Sequence, residues 1–212
     1  MSCDHLLLLQ RHARRLSVPC TVAMLVAILL CGCVSPRTGG PLRAVSVNQD
    51  PVELRANFNE SFYMENDGSI ASFLLSDTPI EQLMAGEVER AQVLHVELLW
   101  SPRPGATPLS SSATNATLRY LVFVDGEVGI YGGTAFIRHN RSIGSRRMSV
   151  SIAQGTIRLL ESTPGFVDRL SPGTFSGSFT TERDERSAAR LRYAANQIAT
   201  NAIGRPRYLG MR

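Results

Sequence analysis

Between Val52 and Met64 apolar and polar residues alternate one for one. Val52, Leu54, Ala56, Phe58, Phe62 and Met64 share one parity, with only Glu60 intruding, and this pattern predicts a single half-buried strand. Asn66-Asp67-Gly68 then offers a turn that accepts positive φ, and residues 69–76, with Ile70, Phe73, Leu74 and Leu75, predict a returning strand. Thr78-Pro79-Ile80-Glu81 reads as a capping box with proline at the first helical position. Gly86 stands where a two-turn helix over 79–85 would stop.

The alternation resumes at residues 91–100, where Leu94, Val96, Leu98 and Trp100 share a face. Prolines 102, 104 and 108, with the serines after them, mark a loop reaching Ala116. Residues 117–124 and 127–138 flank Asp125-Gly126, a type I′ hairpin signal. Both faces of that pair are apolar, which places it centrally. Gly132-Gly133 predicts a bulge or a close backbone approach. Further on, Met148, Val150 and Ile152 occupy even positions but Ile157 and Leu159 odd ones; Gly155 between them predicts a bulge. Phe175 and Phe179 mark a last strand. Ala188, Leu191, Ala195, Ile198 and Ala202 then form a stripe at helical spacing over 182–202, with Thr181 as cap and Gly204 and Pro206 as stop. The expected fold is mainly β (α+β): an antiparallel β-sandwich or curved sheet of about seven strands, with a short helix near 79–85 and a C-terminal helix near 182–202.

The first 32 residues follow a different logic. Arg11, His12, Arg14 and Arg15 precede a 13-residue apolar run from Val18 to Leu30, shorter than the roughly 20 residues needed to span a bilayer. Leu30-Cys31-Gly32-Cys33 resembles the lipobox of bacterial lipoproteins, although Ala or Ser is commoner where Cys31 stands. The resemblance covers this segment alone. It implies export, cleavage before Cys33, lipid on the Cys33 thiol and acylation of the new amine, hence a stable membrane anchor in the cell envelope. Residues 33–50, rich in Pro and Gly, read as anchor and flexible tether; residues 51–212 read as one β-rich domain.

Composition narrows the chemistry further. All four cysteines, Cys3, Cys20, Cys31 and Cys33, lie in or at the end of this leader, so cleavage would leave one, and that one lipidated. Disulfides, cysteine-ligated zinc and thiol catalysis are then excluded. The 22 basic residues are all arginine. Residues 33–185 hold 13 Arg against 17 acids, whereas residues 186–212 hold six Arg and no acid, so the net positive charge belongs to the C-terminal end.

Few residues could carry a reaction. His95 and Glu97, two apart on a strand, share a face and could pair as an oriented base, but a solvent-exposed polar face of a sheet is the preferred account of them. No serine sits in a nucleophile elbow, and two isolated histidines, His95 and His139, fall short of zinc spacing. Asp67, Asp125 and Glu127 sit where turn chemistry already explains them. Arg138, Arg141, Arg146 and Arg147 form a basic loop that could meet anionic lipid, polysaccharide or a protein partner, although a merely solvated loop is the preferred account. Outside the cytoplasm nucleic acid is not a sensible partner, and no cofactor motif is present.

The sequence therefore leads to a lipid-anchored envelope protein, in the outer or the cytoplasmic membrane, whose domain is expected to be monomeric. Its first reading is a non-catalytic binding or interaction module. Two alternatives remain open: a carrier of an apolar ligand between sheet and helix, and a hydrolase using His95 and Glu97. Cys33→Ser, expressed in a bacterial host, should remain an uncleaved precursor that takes up no alkynyl fatty acid. Labelling and cleavage as in the parent would refute the lipobox.

Overall fold

The computed structural model describes residues 38–68, 70–86, 88–102 and 113–206, so the leader, Cys33 and most of the proline- and serine-rich loop lie outside the described residues. The protein is mainly β. Nine strands, β1 (Gly40–Ser46), β2 (Glu53–Phe58), β3 (Glu60–Asp67), β4 (Ile70–Ser76), β5 (Arg90–Leu98), β6 (Ala116–Val124), β7 (Glu127–His139), β8 (Arg147–Ser162) and β9 (Gly173–Arg183), are joined by two helices, α1 (Ile80–Ala85) and α2 (Glu185–Ile203). No helix among the described residues is long and apolar enough to cross a membrane.

The strands form one sheet in the order β2-β1-β9-β3-β4-β5-β6-β7-β8, and β8 also pairs with β9. Strands β3 to β9 thus close into a ring, antiparallel except where Phe62 and Tyr63 of β3 run parallel to Glu182 and Arg183 of β9. The β1–β2 hairpin continues the same edge of β9, from Leu42 opposite Gly177 to Ser46 opposite Gly173. Of the two expected forms the structure takes the curved sheet rather than the two-layer sandwich: a single sheet curls into a barrel, which leaves far less strand edge exposed.

Two of the nine strands occur where the sequence pattern read otherwise. Residues 40–46, expected as tether, are β1: Leu42 and Ala44 alternate into the core, and the stretch is too short for that alternation to stand out. The expected strand over residues 52–64 breaks at Asn59. Before the break the even residues Ala56 and Phe58 enter the interior; after it the odd residues Ser61 and Tyr63 do. Phe62 and Met64 turn instead toward the helices.

Local chemistry accounts for the remaining element ends. Strand β3 runs on through Asn66 and Asp67, so the connection to β4 begins only at Gly68, later than expected, whereas Asp125 (φ 52°) and Gly126 (φ 84°) make the expected type I′ connection between β6 and β7. Helix α1 has no capping box: its N-cap is Pro79, and Glu60 Oε2 accepts the Ile80 N–H at 3.1 Å. The acid that interrupts the apolar alternation is therefore the partner of a helix end. Helix α2 begins later than expected. Thr181 stays buried in β9, and Asp184 is the cap, accepting from the Ser187 N–H at 3.0 Å.

Two cores result. Inside the barrel, Tyr63, Phe73, Tyr120, Tyr131 and Phe175 are fully buried among aliphatic side chains. Outside it, Leu74, Ala91, Val93, Leu121, Phe123 and Val128 are roofed by Ile80 and Leu83 of α1 and by Ala188, Leu191, Ala195 and Ala199 of α2. The β6–β7 hairpin is apolar on both faces because one face lines the barrel and the other lies beneath helices. The phase switch in β8 is a bulge between Ile152 and Gly155 opposite β9.

Gly133 provides the close approach read from the glycine pair, since a Cβ there would lie 1.6 Å from the Thr156 carbonyl oxygen. Gly133→Ala should therefore destabilise the domain by about 3 kcal/mol or more, because backbone must move to admit the methyl. Gly68→Ala, whose Cβ would meet nothing within 4 Å, should stay within about 0.5 kcal/mol. Urea unfolding of both variants checks the contrast.

Candidate functional site

A cavity of about 450 Å³ opens at the end of the barrel where β5, β7 and β9 begin and β6 and β8 end. Its lining joins Val52 and Leu54 of the β1–β2 hairpin, Val122 and Val124 of β6, Tyr131 of β7, and Phe166, Val167 and Leu170 of the β8–β9 loop. The described chain starts at the opposite end, where Gly39 bridges to Thr180. Two of the lining rings, Tyr131 and Phe166, pack at 6.2 Å, and Tyr131 continues into the barrel core through Tyr120 at 6.1 Å, which packs on Phe175 at 5.3 Å. Deeper space is thus filled by rings, and free volume survives only at the mouth. Three of the large apolar side chains that the fold leaves exposed, Val52, Val124 and Val167 (69% exposed), lie on this cavity.

The β8–β9 loop that walls the cavity is held by its own polar groups. Thr163 Oγ1 accepts the Val128 N–H at 2.9 Å, and Glu127 Oε2 accepts the Gly165 N–H at 3.0 Å. Asp168 Oδ1 takes the Leu170 and Ser171 N–H groups at 3.0 and 3.1 Å, and the Tyr131 hydroxyl at 2.9 Å. Burial, with the Asp168 carboxylate beside it, pushes the Tyr131 hydroxyl upward, so it stays a neutral donor. Gly129 is required here: a Cβ would lie 2.2 Å from the Phe166 ring. None of this was legible beforehand, because the loop carries no periodic pattern and its partners lie far away in sequence.

A second, more polar groove of about 640 Å³ crosses the outside of β6 to β9. Thr117, Thr134, Thr156 and Thr174 stand directly opposite one another on these four strands, and Arg119 and Arg158 flank Gly132. A third hollow, lined by Thr78, Gln82, Val88, Glu89 and Arg90, lies beside α1.

Of the residues singled out in the sequence, Asp125 and Glu127 both line the mouth cavity, whereas His95 and Glu97 form no site with the basic loop. His95 is not on an exposed polar face: it is 2% exposed, because the helical layer covers that side of β5. Its Nε2 has no partner among the described residues. Glu97, half-buried, lies opposite Ser72 and Thr117, and neither His95 nor Glu97 lines any of the three cavities.

The four arginines gather at the end of the barrel away from the mouth cavity, around the β7–β8 turn. Arg138 sits 5.7 Å over the Phe136 ring, and the Arg141 carbonyl accepts from His139 Nδ1 at 2.7 Å. Arg146 lies 3.5 Å from Glu182, which also stands opposite Arg147. Nearby, Arg183 reaches Glu65 at 3.3 Å and Glu185 at 3.2 Å. The basic loop is thus interleaved with acids contributed by other strands. Among the described residues no three His, Cys, Asp or Glu side chains converge as a metal site would need.

Burial pushes the His95 imidazole down to about 4, and the positive charges of Arg192 and Arg119 act in the same direction. An ordinary histidine of the unfolded chain titrates near 6.5, so the unfolded state takes up the proton first. Stability is then fully present above about pH 6.5 and is lost as pH falls toward 4, by on the order of 3 kcal/mol for this group. Urea unfolding between pH 7 and pH 4 should show a steeper loss in the parent than in His95→Gln. Parallel curves would mean that His95 is not held neutral.

No protein family, curated protein or solved structure matches the chain.

Proposed function

We propose that the protein is a membrane-anchored envelope lipoprotein whose domain is a non-catalytic binding module, taking an apolar ligand in the cavity at the barrel mouth. The single observation that carries this reading is the 450 Å³ space walled by Leu54, Val122, Tyr131, Phe166 and Leu170. That volume lies within the roughly 300–1,000 Å³ typical of small-molecule sites, which are mostly apolar with a few placed polar groups. A small closed barrel can fill its interior with side chains or hold one small ligand. This barrel combines both, with rings in the middle and space at the end. The exposed valines at the mouth favour a ligand because apolar surface left in water gains by being covered.

The hydrolase reading is less well supported. A base must reach the proton it abstracts, and His95 lies buried under the helical layer with its Nε2 unpartnered among the described residues. The lipid anchor fits a binding role, since tethering concentrates a binding module at the envelope without requiring it to turn over substrate.

N-phenyl-1-naphthylamine, an uncharged apolar fluorophore, should brighten on binding the folded chain with a one-to-one stoichiometry. Leu54→Trp, which fills the cavity from its rim, should weaken that binding about ten-fold or more while leaving the unfolding midpoint within a few degrees. Absence of saturable binding, or binding unchanged in Leu54→Trp, would refute the cavity as the site.

A further inference from the structure

The mouth cavity is apolar within, but its lining includes four charged side chains: Glu53, Asp125, Glu127 and Arg169. The three acids are already answered. Glu53 pairs with Arg43 at 2.9 Å and Arg55 at 2.5 Å, and Asp125 lies 3.6 Å from Arg90. Glu127 is engaged by the Gly165 N–H, and the adjacent Asp168 by two backbone N–H groups and the Tyr131 hydroxyl. Arg169 differs. It is exposed, and it makes no hydrogen bond or ion pair among the described residues.

Its position is nevertheless built. The residues on either side, Asp168 and Leu170, are fixed by the Asp168 hydrogen bonds and by burial of Leu170 in the barrel core. The backbone that carries Arg169 is thus fixed at the rim of an apolar cavity, and its guanidinium makes no hydrogen bond or ion pair among the described residues. An aliphatic chain in the cavity would place a terminal group at this rim. A guanidinium is the side chain best shaped to bind a carboxylate or phosphate through two parallel hydrogen bonds.

Resting on the reading of the cavity as an apolar-ligand site, we infer that the ligand is a single-chain anionic amphiphile, its chain against Tyr131, Phe166 and Val122 and its oxyanion head on Arg169. The modest volume suits one chain better than the paired chains of a diacyl lipid. Glu53 and Asp125 lie beside arginines and Glu127 accepts from a backbone N–H, so Arg169 is the one charged group of the lining whose side chain has no partner among the described residues.

The experiment is displacement of N-phenyl-1-naphthylamine from the folded chain by palmitate, hexadecyl phosphate and hexadecanol, each kept below aggregation. At least one anion should displace the probe at a concentration about ten-fold or more below hexadecanol, as a charge-assisted hydrogen-bonded pair would give. Which anion does so separates a carboxylate head from a phosphate head. Arg169→Gln should remove the preference while leaving probe and hexadecanol binding unchanged; Arg158→Gln, away from this cavity, should keep it. Equal displacement by hexadecanol in the parent, or a preference surviving Arg169→Gln, would overturn the anionic-head inference and leave the apolar cavity standing. Failure of the probe itself to bind would overturn both.

Discussion

Strand β9 carries the architecture, because it is hydrogen-bonded along both edges to three different strands. On one side β8 pairs with it from Arg147 opposite Glu182 to Ile157 opposite Gly173. On the other, β1 takes the first half and the end of β3 takes the last two residues. The ring closes only through β9, and β9 delivers the chain directly to the Asp184 cap of α2. Withdrawing this strand would open the barrel, unseat the β1–β2 hairpin and loosen the start of the helix that roofs the outer core. Each of those changes exposes backbone or apolar surface, so the pieces are expected to stand or fall together.

The same closure explains why the free volume lies where it does. A closed ring of this size is nearly filled by its own side chains, and the five largest rings and phenols occupy its middle. Space remains where strands end at different heights. At the mouth the β8–β9 loop and the β1–β2 hairpin stand above the sheet and wall that space with Phe166, Leu170, Leu54 and Val52. The loop's shape depends on polar bonds, chiefly those of Asp168 and Glu127, rather than on regular secondary structure. The cavity is therefore a by-product of closure made firm by a few hydrogen bonds, and a rigid wall lowers the ordering cost of binding.

The covered outer face shows how misleading a polar residue can be in isolation. His95 and Glu97 alternate with Leu94, Val96 and Leu98, and alternation ordinarily means that the polar parity faces water. Here the other face is covered too, by α1 and α2, so His95 is buried with no partner for Nε2 among the described residues. The signal that could have revealed this was Ala91 and Val93 on the same parity, apolar residues that an exposed face would not need. Glu60 teaches the converse: its intrusion into an apolar series reflected a tertiary contact with the N-terminus of α1.

What the sequence determined by itself is governed by contacts a few residues apart, although not every such contact was read correctly, as the caps of α1 and α2 show. The Asp125-Gly126 turn, the β8 bulge at Gly155, the amphipathic stripe of α2 and its Gly204 stop were all legible, because turn conformation and side-chain period are local properties. The tertiary structure alone decided the rest. Seven-residue β1 declared itself only by pairing with β2 and β9, and closure of the sheet rests on two residue pairs between β3 and β9. The mouth cavity joins residues from Val52 to Leu170, and its unanswered Arg169 is identifiable only once every neighbouring acid has been assigned a partner. Pairing between distant segments depends on how the whole chain buries its apolar surface, and no window of neighbouring residues contains that information.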